Sequence, residues 1–213
     1  MYFISGNNIN ILIDTGKKHN CEKLLKAYNL LPLPSKCIDY LILTHTHYDH
    51  CQNVNEIKEI TKCKILNSIH EIKYAKKGNT PLPRGTNFLT KILIPISSKL
   101  GGKQFEYKSF VTDLPIDNDF EIHKDIKVIT TPGHSVGSIS LIVDNEVALV
   151  GDTLFGIFKN SVFPPFADDI PQLIKSWDKL IQTNCKLFLP GHGKAILLDL
   201  LLAEYEKYKK KYL

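Results

Sequence analysis

The apolar run Tyr40-Leu41-Ile42-Leu43 empties into Thr44-His45-Thr46-His47-Tyr48-Asp49-His50, and this junction constrains the fold more than any other stretch. The run reads as a buried strand ending at Thr44. Four metal-capable side chains then fall within residues 45–50. On an extended chain His45 and His47 point to one side, so a single ion can be gripped by both. A turn into helix after His47 swings Asp49 and His50 towards a second position nearby. A bare H-x-H arises by chance on surfaces. H-x-H-x-D-H at the end of a buried strand reads as a metal site rather than a solvated turn.

Four further polar residues have the same setting. They are Asp14 in Ile11-Leu12-Ile13-Asp14-Thr15-Gly16, His134 in Thr131-Pro132-Gly133-His134-Ser135, Asp152 in Leu149-Val150-Gly151-Asp152-Thr153, and His192 in Leu189-Pro190-Gly191-His192-Gly193. Each follows an apolar run, and glycine beside most of them permits close backbone approach or positive φ. Taken singly, each would be a turn former. Together they supply more ligands than one ion needs, which points to two.

These segments, with the family's order and running from near the N-terminus to residue 193, resemble the metallo-β-lactamase-fold hydrolases, and most of all their glyoxalase II-like branch. The resemblance implies an α/β fold, an αββα sandwich with the metal site at one edge of two sheets. It implies that His45, His47 and His134 hold a first ion, that Asp49, His50 and His192 hold a second, and that Asp152 bridges both. Asp14 is then a supporting residue rather than a ligand. His and Asp ligation without thiolate suits two divalent ions, zinc by affinity order, with iron or manganese as alternatives. Asp49 and Asp152 are the expected catalytic carboxylates.

Composition sets the remaining bounds. A chain of 213 residues, 43% hydrophobic and 23% charged, is expected to fold as one globular domain, 1–213. No apolar run approaches the ~20 residues of a membrane span. The start, Met1-Tyr2-Phe3-Ile4, has no basic leader region. Five scattered cysteines without C-x-x-C spacing argue against a disulfide scaffold and for a reducing, cytoplasmic setting. Cys51 reads as a buried structural thiol. The net charge of +5 owes four positive charges to Lys207-Tyr208-Lys209-Lys210-Lys211, a solvated tail, so nucleic acid is not an expected partner.

Strand-like runs cover 2–5, 9–14, 38–44, 63–66, 105–112, 126–131, 139–143, 146–151 and 186–189. Helical patterns fit 20–30, 52–60, 68–77, 169–183 and 195–211. In 169–183 the residues Ile170, Leu173, Ile174, Trp177, Leu180 and Ile181 form one apolar face. Residues 76–104, punctuated by glycine and proline, read as a long loop or loops. The apolar piece 88–96 within them is a lid helix, a pocket wall or a homodimer contact. A second candidate wall, 155–166, places four phenylalanines just after Asp152. Phe155, Phe166 and Lys159 are its candidate substrate contacts.

The expected activity is hydrolysis of a small ester or thioester by a metal-activated water. The residues after His192 suffice for one helix, so the glutathione-holding helical domain of full-length glyoxalase II is not expected. Two alternatives stay open. One is a phosphodiesterase or ribonuclease resembling the tRNA 3′-end endonucleases. The other is a mononuclear-iron persulfide dioxygenase, in which Asp49, His50 and His192 would not all hold metal.

Overall fold

A computed structural model describes residues 1–6, 8–30, 38–100 and 102–213, without the side chains of 97–100. Cys37 and parts of the 76–104 segment fall outside the described residues. Two compact units divide the chain: Met1–Pro81 with Gly101–Ile116, and Leu82–Leu100 with Asp117–Leu213.

The first unit comprises β1 (Tyr2–Gly6), β2 (Ile9–Ile13), α1 (Cys21–Leu30), β3 (Tyr40–Ile42), α2 (Tyr48–Cys51), α3 (Val54–Thr61), β4 (Lys64–Ser68), α4 (Ile72–Lys77) and β5 (Leu114–Ile116). Its sheet runs in the order β1-β2-β3-β4-β5. β1 and β2 are antiparallel, and the remaining neighbours are parallel. Parallel neighbours need crossovers, which α1 and the α2–α3 pair provide. Parallel strands are covered on both faces, hence the unbroken apolar run at 40–43. Leu12, Leu41, Leu43 and Ile65 pack with Tyr28 of α1 and Val54 and Ile57 of α3 in one core.

The strand expected at 105–112 does not form. Tyr107 and Phe110, three residues apart, both turn inward, with ring centroids 5.9 Å apart. Their backbone N–H groups donate to Gly78 and Ala75 at the end of α4. Carbonyls of this segment are taken by side-chain amides: Gln52 donates to Gln104 and Glu106, and Asn55 to Lys108 and Ser109. The ladder is built instead by 114–116, paired with β4.

The second unit comprises α5 (Phe88–Leu100), β6 (Phe120–His123), β7 (Ile126–Thr130), β8 (Ile139–Val143), β9 (Val147–Gly151), α6 (Ile170–Gln182), β10 (Leu187–Pro190), β11 (Ile196–Leu197) and α7 (Leu198–Tyr212). Its sheet order is β11-β10-β9-β8-β7-β6. β6 to β9 form an antiparallel meander, and α6 carries the chain from β9 to parallel β10. α6 is capped by Asp169, whose carboxylate accepts from Gln172 N at 2.9 Å, with Pro171 in the first turn. Its face of Leu173, Ile174, Trp177 and Leu180 joins the core with Val150, Phe188 and Leu201. The helix expected from 195 starts at Leu198, because Ile196 pairs with Phe188 first.

The 76–104 segment is not loop throughout, since α5 occupies 88–100. Asn87 starts it: its side-chain oxygen accepts from Thr90 N at 2.9 Å. Phe88, Leu89, Ile92, Leu93 and Ile96 on it are exposed. Two mixed sheets flanked by helices are the α/β class expected from the sequence. No helix among the described residues is long and apolar enough to cross a membrane.

Candidate metal centre

In the first unit the candidate ligands sit where β3 gives way to α2. His47 is still extended, at φ −62° and ψ 148°, and the helix begins at Tyr48. The His45 ring centroid lies 4.6 Å from that of His47 and 4.0 Å from that of His50. All three imidazoles are buried, and Asp49 is half-buried.

Hydrogen bonds fix how these rings face. The Asp14 carboxylate accepts from Thr44 N and from Thr44 Oγ1, each at 2.8 Å. With its proton given to Asp14, the Thr44 hydroxyl accepts from His45 Nδ1 at 3.1 Å. Asp14 Oδ2 also lies 2.8 Å from His50 Nδ1. Both imidazoles therefore carry their proton on Nδ1 and a lone pair on Nε2, the ligating form. Asp14 holds this position with φ 57°, a left-handed conformation aspartate tolerates.

Another support was not read from the sequence. Glu71, fully buried, accepts from Thr46 N at 2.6 Å and from the Thr46 hydroxyl. The Thr80 hydroxyl donates to Thr46 O at 2.6 Å and meets Tyr107 Oη at 2.7 Å. The residue between His45 and His47 is thus clamped on both backbone groups. Glu71 lies three residues beyond β4, in the short turn Ile69–Glu71, and a carboxylate soon after a buried strand was the available signal. Cys51 donates its thiol to Thr46 O and His47 O, both at 3.3 Å. Burial pushes this thiol well up, so it stays protonated and serves the loop rather than an ion.

In the second unit the ligand candidates come from three separate loops, after β7, β9 and β10. His134 Nδ1 donates to Phe166 O at 2.9 Å, which leaves Nε2 as the nitrogen available to a metal. That nitrogen faces Asp152 Oδ2 at 3.6 Å, and His192 Nε2 faces the same oxygen at 3.4 Å. In the ligating form, each such nitrogen presents a lone pair that a cation beside the carboxylate would accept. Two donors on one tetrahedral ion at ~2.0 Å each stand about 3.3 Å apart, close to these separations. The donor chemistry in both units therefore fits divalent metal ions.

Glycine sets these loops. Gly133 has φ 132°, and a Cβ there would lie 2.4 Å from the Leu173 backbone of α6. Gly156 and Gly193 are pressed together, with Gly156 N donating to His192 O and Lys194 N to Gly156 O, each at 2.9 Å.

The candidate substrate residues are distributed unevenly. The Phe155 ring is buried, 6.4 Å from His134 and 5.2 Å from His192 by centroids. Phe166 is half-buried and contributes its carbonyl to His134, while Lys159 is exposed. Of the other phenylalanines in 155–166, Phe163 packs on the core and Phe158 is exposed.

A family model described as the metallo-beta-lactamase superfamily matches residues 1–192. A probable metallo-hydrolase, MJ0888 of Methanocaldococcus jannaschii, is 30% identical over 197 residues, covering 91% of this chain and 86% of its own length. The beta-lactamase-like protein 2 homolog of Caenorhabditis elegans is 26% identical over 97% of this chain, which spans only 59% of that relative. Among solved structures, TTHA1623 in a di-iron-bound form has a TM-score of 0.68 at 20% identity, covering 93% of this chain and 89% of its own. At that identity the likeness concerns the fold.

Proposed function

The chain belongs to the metallo-β-lactamase superfamily and is a metal-dependent hydrolase, and on that premise we propose that it cleaves a small ester or thioester with two divalent ions, in the manner of the glyoxalase II-like branch. In this reading all seven residues are metal ligands of a single hydrolase domain, 1–213. His45, His47 and His134 would hold the first ion, and Asp49, His50 and His192 the second. Asp152 would serve as a ligand to both. The carrying observation is that one Asp152 oxygen is faced by imidazole nitrogens from two separate loops, at 3.6 and 3.4 Å. The family match supports this ligand assignment, since residues 1–192 include all seven.

When bound, such ions polarise a carbonyl and lower the pKa of a coordinated water towards about 7. Zinc is the metal we favour for this His and Asp set. The chain's own residues do the rest. Asp49 would orient the attacking water and accept its hydrogen bond. Asp152 would supply negative charge to the bound cations. Asp14 and Thr44 hold His50 and His45 with Nε2 forward, and the Phe166 carbonyl does so for His134. Phe155, packed against two of these histidines, keeps bulk water away from that side.

The exposed apolar residues Phe158, Leu89, Ile92 and Leu93 of the second unit favour an acyl substrate over a polyanion. Each CH₂ buried there contributes about 0.8 kcal/mol. Free Cys21, Cys51, Cys63 and Cys185 fit work in a reducing compartment, and we place it in the cytoplasm. The test is a panel of thioesters, lactones, phosphodiesters and RNA assayed at low and high salt. Thioester or lactone cleavage is expected. Preferred RNA cleavage that falls steeply with salt would overturn the reading.

A further inference from the structure

The first unit contains a cavity of about 960 Å³ that the hydrolytic chemistry does not use. Three stretches of chain line it: Lys17 and Lys18 after β2, Tyr48 and Glu56 from α2 and α3, and 103–108. One side chain ties all three. The Gln52 amide accepts from Lys18 N at 3.0 Å and donates to Gln104 O at 3.1 Å and Glu106 O at 2.9 Å. Buried Asn53 fixes the backbone beneath Lys17, its Nδ2 donating to the carbonyls of Thr15, Gly16 and Lys17 at 2.7, 3.2 and 3.0 Å. The cavity walls are therefore built into the fold.

The lining has two chemistries. Lys17, Lys18, Lys103 and Lys108 surround it, against Glu56 and Glu106. Ammonium groups on flexible stems are point-charge binders of phosphate. Tyr48 and Phe105 stand edge to face, with centroids 5.0 Å apart, and the Lys17 ammonium lies 5.4 Å from the Tyr48 ring. Such rings accept a planar group by stacking or edge contact. The volume is at the upper end of the ~300–1,000 Å³ typical of small-molecule pockets, whereas a nucleic-acid strand needs a groove tracking several nucleotides.

We propose that this cavity binds a nucleotide-class small molecule, with its phosphates on Lys17, Lys18, Lys103 and Lys108 and its ring against Phe105 and Tyr48. The site is independent of the ester-cleaving reading. It adjoins the ligand loop at Tyr48, the residue between His47 and Asp49, and at Tyr107, whose hydroxyl meets the Thr80 that holds Thr46.

Titration calorimetry on the full, metallated chain tests it, with ADP, pyrophosphate and adenosine as probes. ADP binds tightest, and the Lys17→Gln/Lys103→Gln variant weakens it by about tenfold or more, as loss of charge-assisted bonds requires. Metal content and ester hydrolysis stay unchanged in that variant. Phe105→Ala removes the advantage of ADP over pyrophosphate. Lys209→Gln/Lys210→Gln removes equal charge at the helical tail and leaves binding unchanged. Equal weakening by the tail variant would reduce the effect to net charge and overturn the site. Loss of ADP binding only in His134→Ala would move the ligand to the metals and also overturn it. Binding of an RNA oligomer without binding of ADP would contradict it as well.

Discussion

In the first unit four candidate ligands, His45, His47, Asp49 and His50, leave one short stretch that runs from the end of β3 into α2. In the second, His134, Asp152 and His192 come from three loops after β7, β9 and β10. The first set is held by side-chain hydrogen bonds: Asp14 on Thr44 and His50, Glu71 on Thr46, Cys51 on the loop carbonyls. The second is held by backbone close approach at Gly133 against Leu173 and at Gly156 against Gly193. A local ligand set needs buried acceptors to orient it, while a dispersed set needs absent side chains so that distant loops converge. The two halves should fail in different ways.

The largest effect is expected where the dispersed set converges. Asp152→Ala removes the carboxylate that both His134 and His192 face, and should cost turnover by about 10³-fold or more along with metal occupancy. Steady-state kinetics and elemental analysis check this together. Near wild-type kcat with full metal content would show that Asp152 is not the bridge.

Next comes a single methyl group. Gly133→Ala places a Cβ 2.4 Å from the Leu173 backbone at φ 132°, so the fold should lose about 2–4 kcal/mol. Urea unfolding measures it, and a loss below about 0.5 kcal/mol would mean that the loop before His134 gives way freely.

The first unit should respond more gently. Glu71→Ala leaves Thr46 without its buried acceptor and should weaken metal affinity by about tenfold, within the range for groups that orient ligands. Glu71→Gln keeps an acceptor oxygen and should recover most of that loss in chelator competition. No difference between the two variants would remove Glu71 from the positioning of the histidines.

The smallest expected effect compares the units under acid. Burial raises the Asp113 and Asp119 carboxyls, but donors outweigh it and hold both below the usual range. For Asp113 these are Ile65 N and Lys58; for Asp119 they are Lys179 and Thr130. A depressed folded pKa adds stability above the unfolded value of about 3.9, lost as pH falls through the folded one. Both pairs are partly exposed, so each should contribute only a few tenths of a kcal/mol. Asp113→Asn and Asp119→Asn should each flatten the stability curve below pH ~4. An unchanged acid slope in both would deny them that role.

The ease of reading the sequence followed the same division. His45 to His50 stood out because the strand period and the ligand spacing lie within one short window. The face of α6 was equally plain, since Leu173, Trp177 and Leu180 recur at helical steps and all are buried. α5 was legible only as one of three readings of 88–96, since Pro95 and β-branched residues weaken the helical signal, although Asn87 supplied a cap. The 105–112 segment alternates like a strand, yet its carbonyls are satisfied by Gln52 and Asn55, partners no local pattern reveals. Glu71 was missed because its meaning lies in a contact with Thr46, 25 positions earlier in the chain.

The central claim is that the two ligand sets together hold two divalent ions. Elemental analysis of protein purified without chelator and then fully metallated tests it most directly. Two ions per chain are expected, falling to about one in His192→Ala, where the second ion loses a ligand. One ion or none per fully metallated wild-type chain would contradict it.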